Sequence, residues 1–170
     1  YTNYQGLPHV YVRWSIERTQ EAIKSDGATL GKDYLSNEKT VIAILELFEQ
    51  ENLLTKEGTW HDFWLALACD VKGIQIFSHF YRNNSLTLKA SWNILNTAVQ
   101  LFKKWKIDNV LLLGDDIELQ NEILEGSKLA PSLNIQEETY NLPSLKVLAK
   151  QYKDTIYVIA VNSSNGDIIY

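Results

Sequence analysis

Residues 59–82, TWHDFWLALACDVKGIQIFSHFYR, constrain the fold more than any other stretch of the chain. Thr59 reads as a helix N-cap, with Asp62 three positions on in place of the usual glutamate. Phe63, Trp64, Leu67 and Ala68 then recur at helical spacing. Past Asp70 and Gly73 the pattern changes to Ile74, Gln75, Ile76 and Phe77, a short β-rich run of the kind found in buried strands. Ser78, His79, Tyr81, Arg82 and Asn83 follow at once. Polar chemistry directly after an apolar strand is how parallel α/β folds build sites, because loops leaving the carboxyl ends of strands converge on one face.

The flanking runs extend this alternation. Thr40–Phe48, TVIAILELF, is short, β-branched at its start and bounded by polar segments, which predicts a buried strand. Glu46 near its carboxyl end is costly in such a strand unless paired; on an amphipathic helix, the alternative for this run, it would lie on the wet face. A long helix over 87–105 is expected from Leu88, Trp92, Leu95, Ala98, Val99 and Phe102. The order strand, helix, strand, helix predicts parallel strands joined by crossover helices. Ahead of it, residues 1–8 read as a polar, aromatic loop, and Tyr1, Tyr4 and Tyr11 could line a ligand surface or pack against a neighbouring element. Val12–Lys24 reads as a helix stopped at Ser25-Asp-Gly27. Val110–Leu113, VLLL, forms a third short apolar run, stopped by Gly114. Asp115 and Asp116 lack further ligands at metal-binding spacing and read as a turn and the N-cap of a short 117–124 segment, so no metal is expected there.

Beyond Gly126 the character shifts. Pro131, Pro143 and several Ser and Asn residues separate short β-like pieces at Leu133–Glu137, Leu145–Ala149 and Ile156–Val161. The cluster Asn162-Ser-Ser-Asn-Gly166 predicts a hairpin turn, with Asp167–Tyr170 as the returning strand. The expected organisation is therefore α/β over residues 1–116 and antiparallel β over 117–170, with the boundary near 115–130.

Composition sets the outer bounds. The chain has 170 residues, 45% hydrophobic and 22% charged, as in soluble globular proteins. Net charge of −5 argues against a nucleic-acid groove, and Lys103, Lys104 and Lys106 read as a solvated helix end. No window has the ~18 apolar residues that span a bilayer, so no membrane partner is expected. Cys69, the single cysteine, reads as a small core residue. The sequence lacks methionine, opens on YTNYQGLPHVYV and stops on DIIY, so both ends read as cut and the expectation is a fragment or processed piece.

Several of these strings resemble the last two βα units of barrel-type glycoside hydrolases. There, an Ala- and Leu-rich helix leads through Gly-Ala-Lys-Gly-Ile into an eighth strand, Gly-Ile-x-Phe-Phe-Ser-Tyr. This chain has Cys69-Asp-Val-Lys-Gly-Ile74 and Gln75-Ile-Phe-Ser-His79, and IYVIAVN at Ile156–Asn162 resembles a strand of the β-sandwich that follows such barrels. The resemblance covers residues 40–165. It implies a partial (β/α) barrel over 1–116 followed by a small, incomplete β-sandwich-like segment over 117–170. It also implies a carbohydrate substrate or ligand, no cofactor, a secreted or periplasmic setting, and a partner in the rest of the barrel from the parent chain. Thr40–Phe48 would be the seventh strand and Glu46 the carboxylate nucleophile, while Tyr4, His79, Tyr81 and Arg82 would bind substrate. The acid/base carboxylate would lie on a fourth strand that this chain lacks. Trp60 and Trp64 at helical spacing read as core rather than as a sugar platform. Two alternatives stand beside this: a non-catalytic carbohydrate-binding homologue of the same barrel, and a self-contained flavodoxin-like regulatory domain supported only by Gly114-Asp-Asp116 after an apolar strand.

Overall fold

The computed structural model describes residues 8–29, 40–46, 55–77 and 86–169. Among them are four helices and seven strands in three small sheets, none closed. The elements run α1 (Tyr11–Thr29), β1 (Ile42–Glu46), α2 (Lys56–Ala68), β2 (Gly73–Phe77), α3 (Leu86–Lys104), α4 (Ile107–Leu113), β3 (Asp115–Asp116), β4 (Leu133–Ile135), β5 (Glu138–Tyr140), β6 (Leu145–Tyr152) and β7 (Thr155–Asn162).

The strand–helix–strand–helix order expected from the sequence is present. β1 and β2 pair in parallel, from Ile42 opposite Gly73 to Glu46 opposite Phe77, with α2 as the crossover. The pair is covered on one face only. Ala43 is buried, and Val41, Leu45, Ile74 and Ile76 pack with Phe63, Ala66 and Leu67 of α2 and Leu95 and Ala98 of α3. On the other face Ile42 and Ile44 are 59% and 61% exposed and Phe77 40%. β1 is thus not the buried strand its composition suggested, but a strand with one face open.

The start of α2 also differs from expectation. The N-cap is Thr55, whose hydroxyl accepts from the Gly58 amide at 2.9 Å. Thr59 lies one turn inside and donates its own hydroxyl to the Thr55 carbonyl. α1 runs through Gly27 to Thr29 instead of stopping at 25–27; an interior glycine disfavours a helix by only ~1 kcal/mol. The VLLL run is helical as α4, not a strand. Lys106 adopts the left-handed conformation (φ 54°), which ends α3 and starts a new helix, burying Ile107, Val110 and Leu111 at helical spacing. With that run helical, the strand on which the flavodoxin-like alternative rested is lost. Asp115 and Asp116 form β3 against β6 rather than a turn, and 117–124 contains no helix.

The tail is antiparallel, as expected, but its hairpins fall elsewhere. β6 and β7 pair over their full lengths through Lys153 and Asp154. β4 and β5 are joined by Gln136 and Glu137, both at positive φ (47° and 70°), the twist that a tight two-residue hairpin requires. Leu133–Glu137 therefore divides into a strand and a turn. Asn165-Gly166 lies in a bend, and Ile169 bridges Glu125 instead of returning along β7. The β6–β7 hairpin packs on the helices: Val161 meets Leu65 and Ala68, and Leu148 and Ile159 join the main core. A second cluster joins Val10 to Ala130 and Leu133. Arg13, 8% exposed, donates to the Pro143 carbonyl at 2.8 Å and to Glu17 at 2.9 Å. Cys69 is buried, as expected of a core residue, and burial pushes its thiol up to about 11. No helix among the described residues is long and apolar enough to cross a membrane.

Candidate functional site

Glu46 closes β1 in register with Phe77, so the two strands end side by side. The side chain of Glu46, together with Tyr4, His79, Tyr81 and Arg82, lies outside the described residues. What the described residues do bring together is a different group, formed by His9, His61, Asp62 and Ser163.

Its construction follows from local structure. His61 and Asp62 sit in the second turn of α2, a position fixed by the Thr55 cap. His9 lies two residues before α1, in the turn where the amides of Tyr11 and Val12 fold back on the Pro8 and His9 carbonyls. Ser163 follows the last residue of β7, its amide donating to the Ser144 carbonyl at 2.7 Å. The Asp62 carboxylate joins both imidazoles: Oδ1 lies 2.9 Å from His9 Nδ1 and 3.0 Å from His61 Nδ1. The far side of the His61 ring is held by Ser163, with Nε2 and Oγ 3.0 Å apart. The two rings meet edge to face at 5.6 Å. His9 is half exposed, whereas the side chains of His61 and Asp62 are 18% and 25% exposed. The hydrogen bond to Asp62 raises the His9 pKa above its ordinary value, outweighing partial burial, which acts in the opposite sense.

Glycine at position 58 makes this packing possible. A Cβ there would lie 2.3 Å from His9 Cε1 and 2.7 Å from Nε2. The His9 ring therefore rests on bare backbone one turn before His61 and Asp62.

Ser163, His61 and Asp62 have the connectivity of a nucleophile–base–orienter relay. Acyl transfer also needs donors poised for an oxyanion. The amides beside the hydroxyl are committed, Ser163 to Ser144 and Ser164 to the Asn162 side chain. The arrangement is better equipped to hold a ligand between two imidazoles and a carboxylate than to stabilise a tetrahedral intermediate.

His61 also lines a groove of about 960 Å³ between α2, α4 and the β6–β7 hairpin. Trp60, Trp64, Trp105 and Tyr157 supply its aromatic walls. Trp60 and Trp64 pack edge to face at 5.6 Å and border the main core, in keeping with the structural role expected of them. The buried Trp64 indole N–H has no hydrogen-bond partner among the described residues.

Sequence reasoning missed the His9–His61–Asp62 group. The pattern from Thr59 points Asp62 to a capping box, and the adjacency of His61 and Asp62 is the one local signal. His9 and Ser163 lie far away in sequence, and nothing in their spacing marks them. No protein-family model, curated protein or solved structure matches this chain.

Proposed function

We propose that this chain is the C-terminal portion of a barrel-type glycoside hydrolase, carrying its last two βα units and the first strands of an appended β-sandwich. The observation that carries the reading is the sidedness of the β1–β2 pair. Its helices lie on one face, while among the described residues Ile42, Ile44, Gln75 and Phe77 leave the other face exposed and largely apolar. Parallel sheets are ordinarily covered on both faces. A parallel pair with helices outside and bare apolar residues inside fits a barrel segment, whose inner face is filled by side chains from the remaining strands. Position 46 ends β1 opposite Phe77, at the carboxyl end where barrel enzymes assemble their sites.

In this reading Glu46 is the nucleophile. A second carboxylate, ~5 Å away for retaining chemistry, comes from a strand outside this sequence. His79, Tyr81 and Arg82, directly after β2, and Tyr4 contact the sugar at the rim. The partner is the rest of the barrel.

The test is aryl-glycoside hydrolysis and glycan-array binding by the natural polypeptide carrying this sequence, with and without Glu46→Gln. Loss of turnover with glycan binding and fold retained is the expected result. Unchanged turnover removes Glu46 from the chemistry, and glycan binding without turnover in either form replaces the enzyme by a non-catalytic homologue. Neither binding nor turnover overturns the carbohydrate reading.

A further inference from the structure

We propose that His9, His61 and Asp62 form a binding site for a divalent first-row transition metal, with Ser163 orienting His61 from behind. One nitrogen from each imidazole and one carboxylate oxygen lie within 4.8 Å of one another. Two of the three separations are 2.9 and 3.0 Å. Metal bonds of ~2.0–2.1 Å in tetrahedral geometry place ligand atoms ~3.3 Å apart. The set therefore needs only a small spreading at the carboxylate and an inward rotation of the half-exposed His9 ring.

Two imidazole nitrogens and one carboxylate suit zinc, and equally iron(II), with at least one position left for water or an outside ligand. The surroundings fit ligation as well. A metal-bound histidine characteristically donates its other ring N–H to a fixed acceptor, which sets both tautomer and ring orientation. Ser163 Oγ stands 3.0 Å from His61 Nε2, on the side away from Asp62. With metal on Nδ1, Nε2–H donates to that hydroxyl. Gly58 adds an independent indication. It is three residues before His61 and four before Asp62, on the same side of α2, and a Cβ there would stand 2.3 Å from His9 Cε1, so the ring would have to shift. The three ligands come from two segments 52 or more residues apart, so a bound ion would clip the start of α1 to α2.

The inference is independent of the carbohydrate reading. Its test is calorimetric titration of the chelator-treated 170-residue chain with zinc chloride, repeated with cobalt(II) to read coordination from the visible absorption. The expected result is one ion per chain and a cobalt spectrum of four-coordinate type. His9→Gln should weaken binding at least tenfold; because His9 is half exposed, that variant keeps the fold, which circular dichroism checks. Gly58→Ala, which removes no ligand atom, should also weaken binding through displacement of His9. Ser163→Ala should weaken it about tenfold, the size of effect typical of a group behind a metal ligand. Absence of stoichiometric binding overturns the proposal. So does zinc affinity unchanged in both His9→Gln and Asp62→Asn, which would leave the cluster as an ion pair tethering α1 to α2.

Discussion

Replacing Gly114 by alanine tests how tightly the helical layer is joined to the C-terminal sheet. Gly114 ends α4 in extended backbone (φ −82°, ψ 144°), so alanine meets no backbone strain there. The obstacle is steric. A Cβ would stand 2.5 Å from the Val110 carbonyl oxygen, 3.1 Å from that of Gln151 and 3.3 Å from Lys150 Cβ. The first contact is roughly 1 Å inside the ~3.5 Å optimum for non-bonded atoms. Two of the three neighbours are backbone, one in α4 and one in β6, and neither can rotate away. The Val110 contact lies within the segment that Gly114 ends and is relieved by turning Gly114 and loosening its amide bond to the Val110 carbonyl (2.9 Å), while easing the contacts to β6 loosens the pairing of Asp115 with Gln151. Overpacking of this kind destabilises by about 1–3 kcal/mol. At about 2–4 °C per kcal/mol for a chain of this size, Gly114→Ala should melt about 2–12 °C below the parent. Gly166→Ala is the matched control, since nothing lies within 4 Å of its added Cβ. Thermal melts followed by circular dichroism read both variants. Gly114→Ala melting within a degree of the parent, or no lower than Gly166→Ala, would refute the tight backbone packing around Gly114.

Two further outcomes concern buried titrating groups. Burial raises the Cys69 thiol to about 11, so at pH 8 a thiol reagent should leave the folded chain essentially unmodified and label it fully in urea; equal rates in the two states would place Cys69 outside the core. Burial alone would raise the Glu17 carboxyl, but the Lys146 ammonium and Arg13 guanidinium outweigh it and hold the pKa below its ordinary value. A depressed carboxyl adds stability that is complete above its unfolded pKa, near 4.5, and fades as pH falls through the lower folded value. Glu17→Gln should thus cost about 1–3 kcal/mol at neutral pH in urea unfolding, with the gap narrowing in acid. A gap that does not change with pH would show that the ion pairs contribute nothing.

How much of this was legible in the sequence depended on how far each signal reached. β1 and β2 followed from short apolar runs rich in β-branched residues, α3 from its helical stripe and β7 from its alternation, although the runs alone did not show that β1 keeps one face open. The four-residue VLLL run was too short for periodicity to separate strand from helix. The deciding residue was Lys106, whose left-handed backbone restarts a helix one residue before Ile107. The sequence alone points to Thr59 as the cap of α2, one turn late, because Thr55 and Thr59 offer the same hydroxyl and the apolar stripe begins only after the second. The Asn-Gly signal at 165–166 is sound for an isolated hairpin, but the bridge of Ile169 to Glu125 takes the chain elsewhere. The His9–His61–Asp62 group was hidden for a different reason. Its members come from separate elements, and their meeting depends on tertiary packing over a bare Gly58.

The embrace of α1 by the far end of the chain has a consequence for synthesis. Arg13 finds its carbonyl partner at Pro143, 130 residues later, and Val10 closes on Ala130 and Leu133. At ~5–20 residues per second, a ribosome supplies those partners on the order of ten seconds after α1 emerges. During that interval Val10 and Trp14 lack their later packing partners, and Arg13 has only Glu17, four residues on in the same helix, as a partner. Docking of α1 against residues 130–143 is thus a late step in the folding of this stretch.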